Sequence, residues 1–223
     1  MTTPAGQLVV IAKEPRPGFV KTRLCPPCTG DQAAAIAEAA LIDTLRAVQA
    51  ASASRRVIAI DGSPGPWMPP GFEVIPQRGA SLAERLAAAV DDCFEHGVGP
   101  VLIVAMDTPQ VQAGHLERAA SLLGDGHERA AVLGPATDGG YWLIGLSHPD
   151  PAAFHDVVMS VADTMAGQRQ QLERCGFRVR LADVLRDVDT FDDAIAIAEE
   201  VPESSFGSAV RRTQRSHAAA QRR

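Results

Sequence analysis

Both lysines of the chain stand in one short segment that could bind phosphate. Of the 21 basic residues only two are lysines, Lys13 and Lys21, and Arg16 and Arg23 add two more positive charges nearby. Lysine is a compact point charge that suits a phosphate oxygen in a tight site. Gly18 and the neighbouring prolines shape a loop in which backbone can approach a ligand. The segment therefore predicts a di- or triphosphate site, with a solvated surface loop as the alternative.

The end of this segment differs from a P-loop. That motif has a glycine directly before its lysine, whereas Val20 precedes Lys21 in this chain. We therefore exclude the P-loop and group Thr22 with the cations as a substrate-binding residue.

Asp107 follows the most hydrophobic run of the chain, residues 100–105. A carboxylate at the end of a buried strand is held by a rigid element, and Mg²⁺ or Mn²⁺ prefers such hard oxygen ligands. Thr108 could add a hydrogen bond, and Pro109 fixes the turn. We predict metal binding at Asp107, with capping of the following helix as the alternative.

Two further segments carry candidate acids. Asp138 precedes a pair of glycines and the chain's only tyrosine, Tyr141. This segment could face a ligand, but Asp-Gly is also a common hairpin turn. Four acids lie in residues 187–193, where either Asp189 or Thr190 is expected to cap a helix. The residues alone favour the cap over a second metal ligand.

Other catalytic motifs are missing from the sequence. The pair Cys25 and Cys28 has CxxC spacing, but no second pair or histidine motif completes a zinc site. We expect two small residues in a proline-rich turn. No HxxxH, HExxH or GxSxG pattern occurs, so neither a zinc hydrolase nor a serine hydrolase is supported.

Strands that alternate with helices must position these residues. The pattern predicts a three-layer α/β/α fold, with residues 141–146 as a strand that could run antiparallel and residues 177–181 at an edge. Ligands bind such sheets beyond the carboxyl ends of the strands, where the first, fourth and fifth strands carry the motifs above. The predicted strands are 7–12, 56–60, 72–75, 100–105, 130–133, 141–146 and 177–181, and the predicted helices are 31–49, 81–97, 112–123, 162–174 and 190–200.

Charge and hydropathy exclude several classes of protein. The net charge is −6, and residues 207–223 carry five arginines and no acid, so the remainder is more acidic still. Such a body predicts no nucleic-acid partner. No run is long enough for a membrane span and no signal peptide is evident, so we expect a cytoplasmic protein. Residues 1–205 form one predicted domain, and residues 206–223 a basic, disordered tail.

These motifs together resemble a bacterial GT-A-like transferase family. Its members are mostly uncharacterised and regarded as glycosyltransferases, some linked to arsenosugar synthesis. The similarity runs from about residue 7 to 200. The family usually has Trp-Ser-Thr where this chain has Met159-Ser160-Val161. The matching series are Ala12-Lys13-x-Pro15-x-Pro17-Gly18-x-Val20-Lys21-Thr22-Arg23-Leu24, Asp107-Thr108-Pro109, Gly134-Pro-x-x-Asp138-Gly-Gly-Tyr141-x-Leu-Ile-Gly145 and Asp189-Thr190-x-Asp192.

The resemblance implies a nucleotide-diphospho-sugar transferase fold with a mostly parallel, mixed sheet. It implies that Asp107 binds a divalent metal, that Asp189 lies at a second acidic position, and that Asp138 belongs to the acceptor side. Asp107 and Asp138 are then the expected catalytic residues, and Mg²⁺ or Mn²⁺ the cofactor. The expected substrate-binding residues are Lys13, Gly18, Lys21, Thr22, Arg23, Thr108, Gly139, Gly140 and Tyr141.

Three functions stay open at this point. The first is glycosyl transfer from a nucleoside diphosphate sugar to a small acceptor. The second is nucleotidyl transfer from a nucleoside triphosphate, because the first loop is similar to that of phospholactate guanylyltransferase. The Asp107 motif is likewise similar to that of molybdenum-cofactor guanylyltransferase, whose glycine-rich loop this chain lacks. The third is a binding protein that keeps the nucleotide site without turnover.

Overall fold

The computed structural model describes residues 6–124 and 128–220, which form one seven-stranded sheet covered by helices on both faces. The strand order is β3-β2-β1-β4-β6-β5-β7. The strands are β1 (Gln7–Lys13), β2 (Arg55–Asp61), β3 (Glu73–Pro76), β4 (Val101–Ala105), β5 (Ala130–Pro135), β6 (Tyr141–Leu146) and β7 (Arg178–Leu181). The helices are α1 (Gly30–Ala50), α2 (Leu82–His96), α3 (Ala113–Ser121), α4 (Thr164–Arg174), α5 (Phe191–Glu200) and α6 (Ser205–Ala220), with a short 3-10 turn at Thr22–Leu24.

The predicted three-layer α/β/α fold with a mostly parallel mixed sheet is confirmed. In the sheet of the described residues, β6 alone runs antiparallel to its neighbours, β4 and β5. The other pairs are parallel, so β1, β2, β3 and β4 end at one edge of the sheet. β7 is an edge strand, as its alternating sequence predicts.

The central strands are apolar because both of their faces are covered. In β1, Leu8 and Val10 pack into one apolar cluster with α1 and α3, while Val9 packs into the other with α2. A continuous apolar run is the sequence signature of such strands. Two core layers, one on each face, therefore hold the sheet rigid beneath the loops that follow its strands. Among the described residues, no helix combines the length and apolar character needed to cross a bilayer.

Helix starts follow capping chemistry, with one correction. Ser81 caps α2 with Glu84, as predicted, and Thr190 rather than Asp189 caps α5. The cap of α1 is Thr29 and not the predicted Asp31. Its side chain accepts from the Gln32 amide while the Gln32 side chain accepts from the Thr29 amide, so two otherwise free N–H groups are satisfied at once.

The prediction of a disordered tail from residue 206 is wrong. Residues 205–220 form α6, which packs against α1 and α5. Phe206, Ala209, Val210 and Thr213 are buried, and their spacing of three and four residues places them on one face. This segment lacks a long apolar run. Its small buried side chains nevertheless let α6 pack closely against the neighbouring helices. Residues 221–223 lie outside the described part of the chain.

Asp43 of α1 fixes the start of α6. Its carboxylate accepts from the Ser205 amide at 3.2 Å and from the Phe206 amide at 2.7 Å. It also accepts from Arg46 at 3.2 Å. A helix start leaves such amides without partners in the helix, and a carboxylate favours this positive end of the helix dipole.

We expect Asp43→Ala to lower the free energy of unfolding by about 1–2 kcal/mol, because it removes the cap of α6. The melting temperature should fall by roughly 2–4 °C for each kcal/mol in a chain of this size. Urea unfolding measures the change, and Asp43→Asn, which keeps an acceptor oxygen, should lose less. Equal stability of the wild type and Asp43→Ala would contradict this role.

Candidate active site

A cavity of about 540 Å³ opens where β1 and β4 end. This is the edge at which open α/β sheets bind ligands, and the volume is in the range of small-molecule sites. The cavity brings together six of the predicted site residues, which come from three separate parts of the sequence. They are Lys13, Lys21, Thr22, Arg23, Asp107 and Asp189.

Lys21 connects the two predicted metal ligands. Its Nζ donates to Asp107 Oδ2 at 2.6 Å and to the Val188 carbonyl, and lies 3.7 Å from Asp189 Oδ1. Burial by itself would lower the pKa of this ammonium. The charge and hydrogen bond of Asp107, with the charges of Asp189 and Asp187, outweigh burial and raise the pKa above its usual value. Lys21 is therefore held as a cation.

The connector between β7 and α5 carries Asp187 and Asp189 to Asp107. The Val188 amide donates to the Asp107 carbonyl at 3.0 Å. Earlier in the connector, Leu185 N donates to the Pro135 carbonyl at 3.1 Å. The Trp142 indole N–H donates to the Asp183 carbonyl at 2.9 Å. Backbone contacts thus fix the position of both aspartates.

Asp187 is a site residue that sequence reasoning missed. One carboxylate oxygen from each of Asp138, Asp187 and Asp189 lies within 4.8 Å of the other two. Burial, followed by the charges of Asp107 and Asp138, raises the pKa of Asp187 to about 6. The acid-rich run 187–193 carries the signal, but the cap of a helix also accounts for acids at this place. In fact Thr190 makes the cap with Asp193, which leaves the earlier acids to the site.

The acids supply a donor set that fits a divalent metal. Carboxylate oxygens are the hard ligands that Mg²⁺ and Mn²⁺ take. Burial is the main cause of the raised pKa of Asp187, and the charges of Asp107 and Asp138 add to it, so a cation among these acids is favoured. Arg23 Nη1 lies 2.7 Å from Asp189 Oδ2 and neutralises part of this charge from the exposed side.

The loop before Lys21 is anchored at the end of β2. Glu14 N donates to the Asp61 carbonyl at 2.9 Å, and Glu14 Oε2 accepts from Ser63 N at 2.8 Å. Gly62 lies beneath this side chain, where a Cβ would come within 2.5 Å of Glu14. The Arg16 guanidinium covers the Phe19 ring at 4.2 Å. The loop therefore has a defined shape.

Gln77 and Arg85 line the cavity without any motif that predicts them. Gln77 Nε2 donates to the Ala12 carbonyl at 2.7 Å and to the Ala59 carbonyl at 3.0 Å. Arg85 pairs with Asp61 at 2.6 Å. Their only signal in the sequence is position, because they follow β3, which ends at the same edge as β1.

Other predicted substrate contacts are not among the residues that line the cavity. Thr108 is fully buried, and its hydroxyl has no hydrogen-bond partner in the described part of the chain. The Tyr141 hydroxyl donates to Gln168 Oε1 at 3.2 Å, and burial raises its pKa. Thr108 is enclosed by protein and is not retained as a substrate contact, whereas Tyr141 is partly buried and its hydroxyl is engaged with Gln168.

Gly18 and the turn after β5 also lie off the cavity wall. Gly18 has φ +78°, a backbone conformation that favours glycine, so it shapes the loop. Asp138, Gly139 and Gly140 form the turn between β5 and β6, as the hairpin alternative predicted. Gly139 has φ +92° and lies so close to the Ala162 carbonyl that no Cβ would fit. Only Asp138 of this turn reaches the acid cluster.

Solved structures with the same fold are transferases. A protein of Desulfovibrio desulfuricans G20, proposed to be a nucleotide-diphospho-sugar transferase, matches with a TM-score of 0.82 at 25% identity, over 93% of this chain and 95% of that one. A nucleotidyl transferase from Methanothermobacter thermautotroptrophicus matches with a TM-score of 0.51 at 16% identity, over 86% and 95%. The 4-diphosphocytidyl-2C-methyl-D-erythritol synthase of Anaerococcus prevotii matches with 0.51 at 9%, over 89% and 99%.

The fold is therefore that of the nucleotide-diphospho-sugar transferases, and the protein is an enzyme of the transferase class. Residues 36–161 match the model of a family described as uncharacterised proteins conserved in bacteria, DUF2064. The chain belongs to this family. No curated protein matches it.

The anchor of the loop before Lys21 can be tested without a ligand. Glu14→Ala removes the acceptor of Ser63 N, and a hydrogen bond contributes about 0.5–1.5 kcal/mol. We expect amide hydrogen exchange in residues 14–20 and at Ser63 to rise by up to roughly tenfold. Glu14→Gln keeps an acceptor oxygen and should exchange like the wild type. Exchange that is the same in all three proteins would show that the loop is held by other contacts.

Proposed function

We propose that the protein is a divalent-metal-dependent transferase whose donor is a nucleoside diphosphate sugar. The observation that carries this proposal is the contact of Lys21 with Asp107 and Asp189 inside the cavity at the sheet edge. One cation and two carboxylates meet there, so a phosphate and a metal ion could bind side by side. The likeness to the Desulfovibrio protein supports the choice of donor.

The phosphates would lie along the first loop. Lys13, Lys21 and Arg23 face the cavity, and Thr22 offers a hydroxyl between two of these cations. Charge-assisted hydrogen bonds of this kind are about twice as strong as neutral ones. The loop is held in place by the Glu14 anchor, so little order is lost when the donor binds.

Asp107 and Asp189 would hold the metal ion, and Asp138 and Asp187, which each place a carboxylate oxygen within 4.8 Å of one from Asp189, could complete the site. A bound divalent ion would neutralise the negative charge that develops on the leaving diphosphate. The chain itself positions these acids rigidly, since Asp107 follows a central strand and the connector is hydrogen-bonded to it. Fixed charges need no rearrangement during the reaction.

Asp138 would act on the acceptor. It is exposed, and its Oδ1 accepts from the Gly140 amide at 2.8 Å, which fixes the carboxylate. The other oxygen, Oδ2, could accept the proton of an acceptor hydroxyl during attack on the sugar carbon. Asp138 would therefore orient the acceptor, or serve as base if the reaction inverts that carbon.

Nucleotidyl transfer is the second candidate. Arg85 adds a fourth cation to the cavity wall beside Lys13, Lys21 and Arg23, which is ample charge for a triphosphate. A phosphate acceptor is already ionised and needs no base. Release of pyrophosphate from a nucleoside triphosphate would identify this reaction, and release of a nucleoside diphosphate would identify glycosyl transfer.

We expect Asp107→Asn to weaken nucleotide binding in the presence of Mn²⁺ by at least about tenfold, which is a loss of about 1.4 kcal/mol. Isothermal titration calorimetry with UDP- and GDP-sugars, UTP, GTP and CTP measures this and names the preferred donor. Asp91→Asn, the same change at an exposed position on α2, is the matched control.

Unchanged Mn²⁺-dependent binding in Asp107→Asn would refute the metal role of this residue. If the wild type binds none of these nucleotides, the whole proposal is wrong. Tight binding without any turnover over a broad panel of acceptors would favour a binding protein.

A further inference from the structure

The ammonium of Lys21 lies on the oxygen that a metal ion would need. Its Nζ is 2.6 Å from Asp107 Oδ2 and 3.7 Å from Asp189 Oδ1, and these are the two aspartates assigned above to the metal. A divalent ion of this kind binds a carboxylate oxygen at about 2.0–2.1 Å. Two cations so close on one oxygen repel each other strongly in a partly buried site, where only 13% of the Lys21 side chain is exposed.

We propose that Lys21 competes with the metal ion for Asp107, and that nucleotide phosphates release it, so that metal and nucleotide bind cooperatively. This inference rests on the proposed function, because it takes the metal site at Asp107 and the phosphate site at Lys21 from there. It adds that the two sites are coupled through Lys21, which neither site implies alone. The lysine keeps the metal site closed until a phosphate offers its ammonium a better partner.

The geometry allows the side chain to move while the backbone stays. Lys21 has φ 48° and ψ 39°, in the left-handed region, and its carbonyl accepts from Leu24 N at 2.9 Å in the 3-10 turn. The Cα is therefore fixed, whereas the four-carbon side chain has rotatable bonds throughout. Lys21 also lines the cavity, so a phosphate bound there can reach the ammonium directly.

Competition for one carboxylate makes the coupling reciprocal. If the nucleotide increases the affinity for the metal by drawing Lys21 away, the metal must increase the affinity for the nucleotide by the same factor. The acids that remain are then neutralised by the metal ion in place of the ammonium. Arg23 stays on Asp189 from the exposed side and is not required to move.

The test measures Mn²⁺ binding without nucleotide, by the loss of the free-ion signal in electron paramagnetic resonance. We expect Lys21→Met to bind Mn²⁺ roughly tenfold more tightly than the wild type, within the range usual for coupled sites. Lys13→Met removes the only other lysine, which lines the same cavity, and is the charge control. Its effect should be much smaller, since solvent screens a charge at the exposed rim.

A second measurement uses the wild type, so it does not depend on how the variant folds. The nucleotide that binds best in calorimetry should tighten Mn²⁺ binding by at least a similar factor, and this gain should be smaller in Lys21→Met, where only the direct attraction between phosphate and metal ion remains. Equal or weaker Mn²⁺ binding in Lys21→Met, while Asp107→Asn loses Mn²⁺, would overturn the competition and leave the metal site intact. If neither the wild type nor Lys21→Met binds Mn²⁺, the metal site of the proposed function fails together with the competition.

Discussion

The site depends on the contact of the Lys21 ammonium with the carboxylates of Asp107 and Asp189. Asp107 and Asp189 stand far from Lys21 in sequence, yet all three meet at the end of the cavity. Burial, with the nearby charges of Asp107 and Asp138, raises the pKa of Asp187 to about 6, so these acids disfavour one another's ionised form. An arrangement of this kind persists only when a cation compensates it and the surrounding structure fixes each group. The acids that the proposed function needs therefore lower the stability of this edge of the sheet.

The rest of the fold holds these acids in place although they repel one another. Two apolar layers hold the sheet, and β4 delivers Asp107 from a position buried on both faces. The antiparallel β6 places the turn at Asp138 beside the connector from β7. Trp142, one of the largest buried side chains, donates to that connector and thereby ties the core to the site. The acids are thus held by packing and backbone hydrogen bonds.

Local patterns in the sequence predicted most of the fold, because apolar runs, helix periodicity and caps are short-range signals. Residues 141–146 were placed correctly, and Ser81 with Glu84 marked the start of α2. The cations of the first loop and Asp107 were found from their position after strands. Sequence could not show that residue 187 would approach residue 107, or that Gln77 would line the cavity, because those proximities arise from the strand order. The tail was missed because alanine and threonine give a weak apolar signal.

The packing of α6 also has an electrical consequence. Its arginines, including Arg212 and Arg215 on the exposed face, are fixed on one rigid helix instead of being spread through a moving tail. The rest of the chain is acidic, and the net charge is −6. α6 therefore concentrates three positive charges on one element of a chain that is otherwise net negative. A fixed positive patch of this kind favours contact with an acidic surface over contact with a basic one.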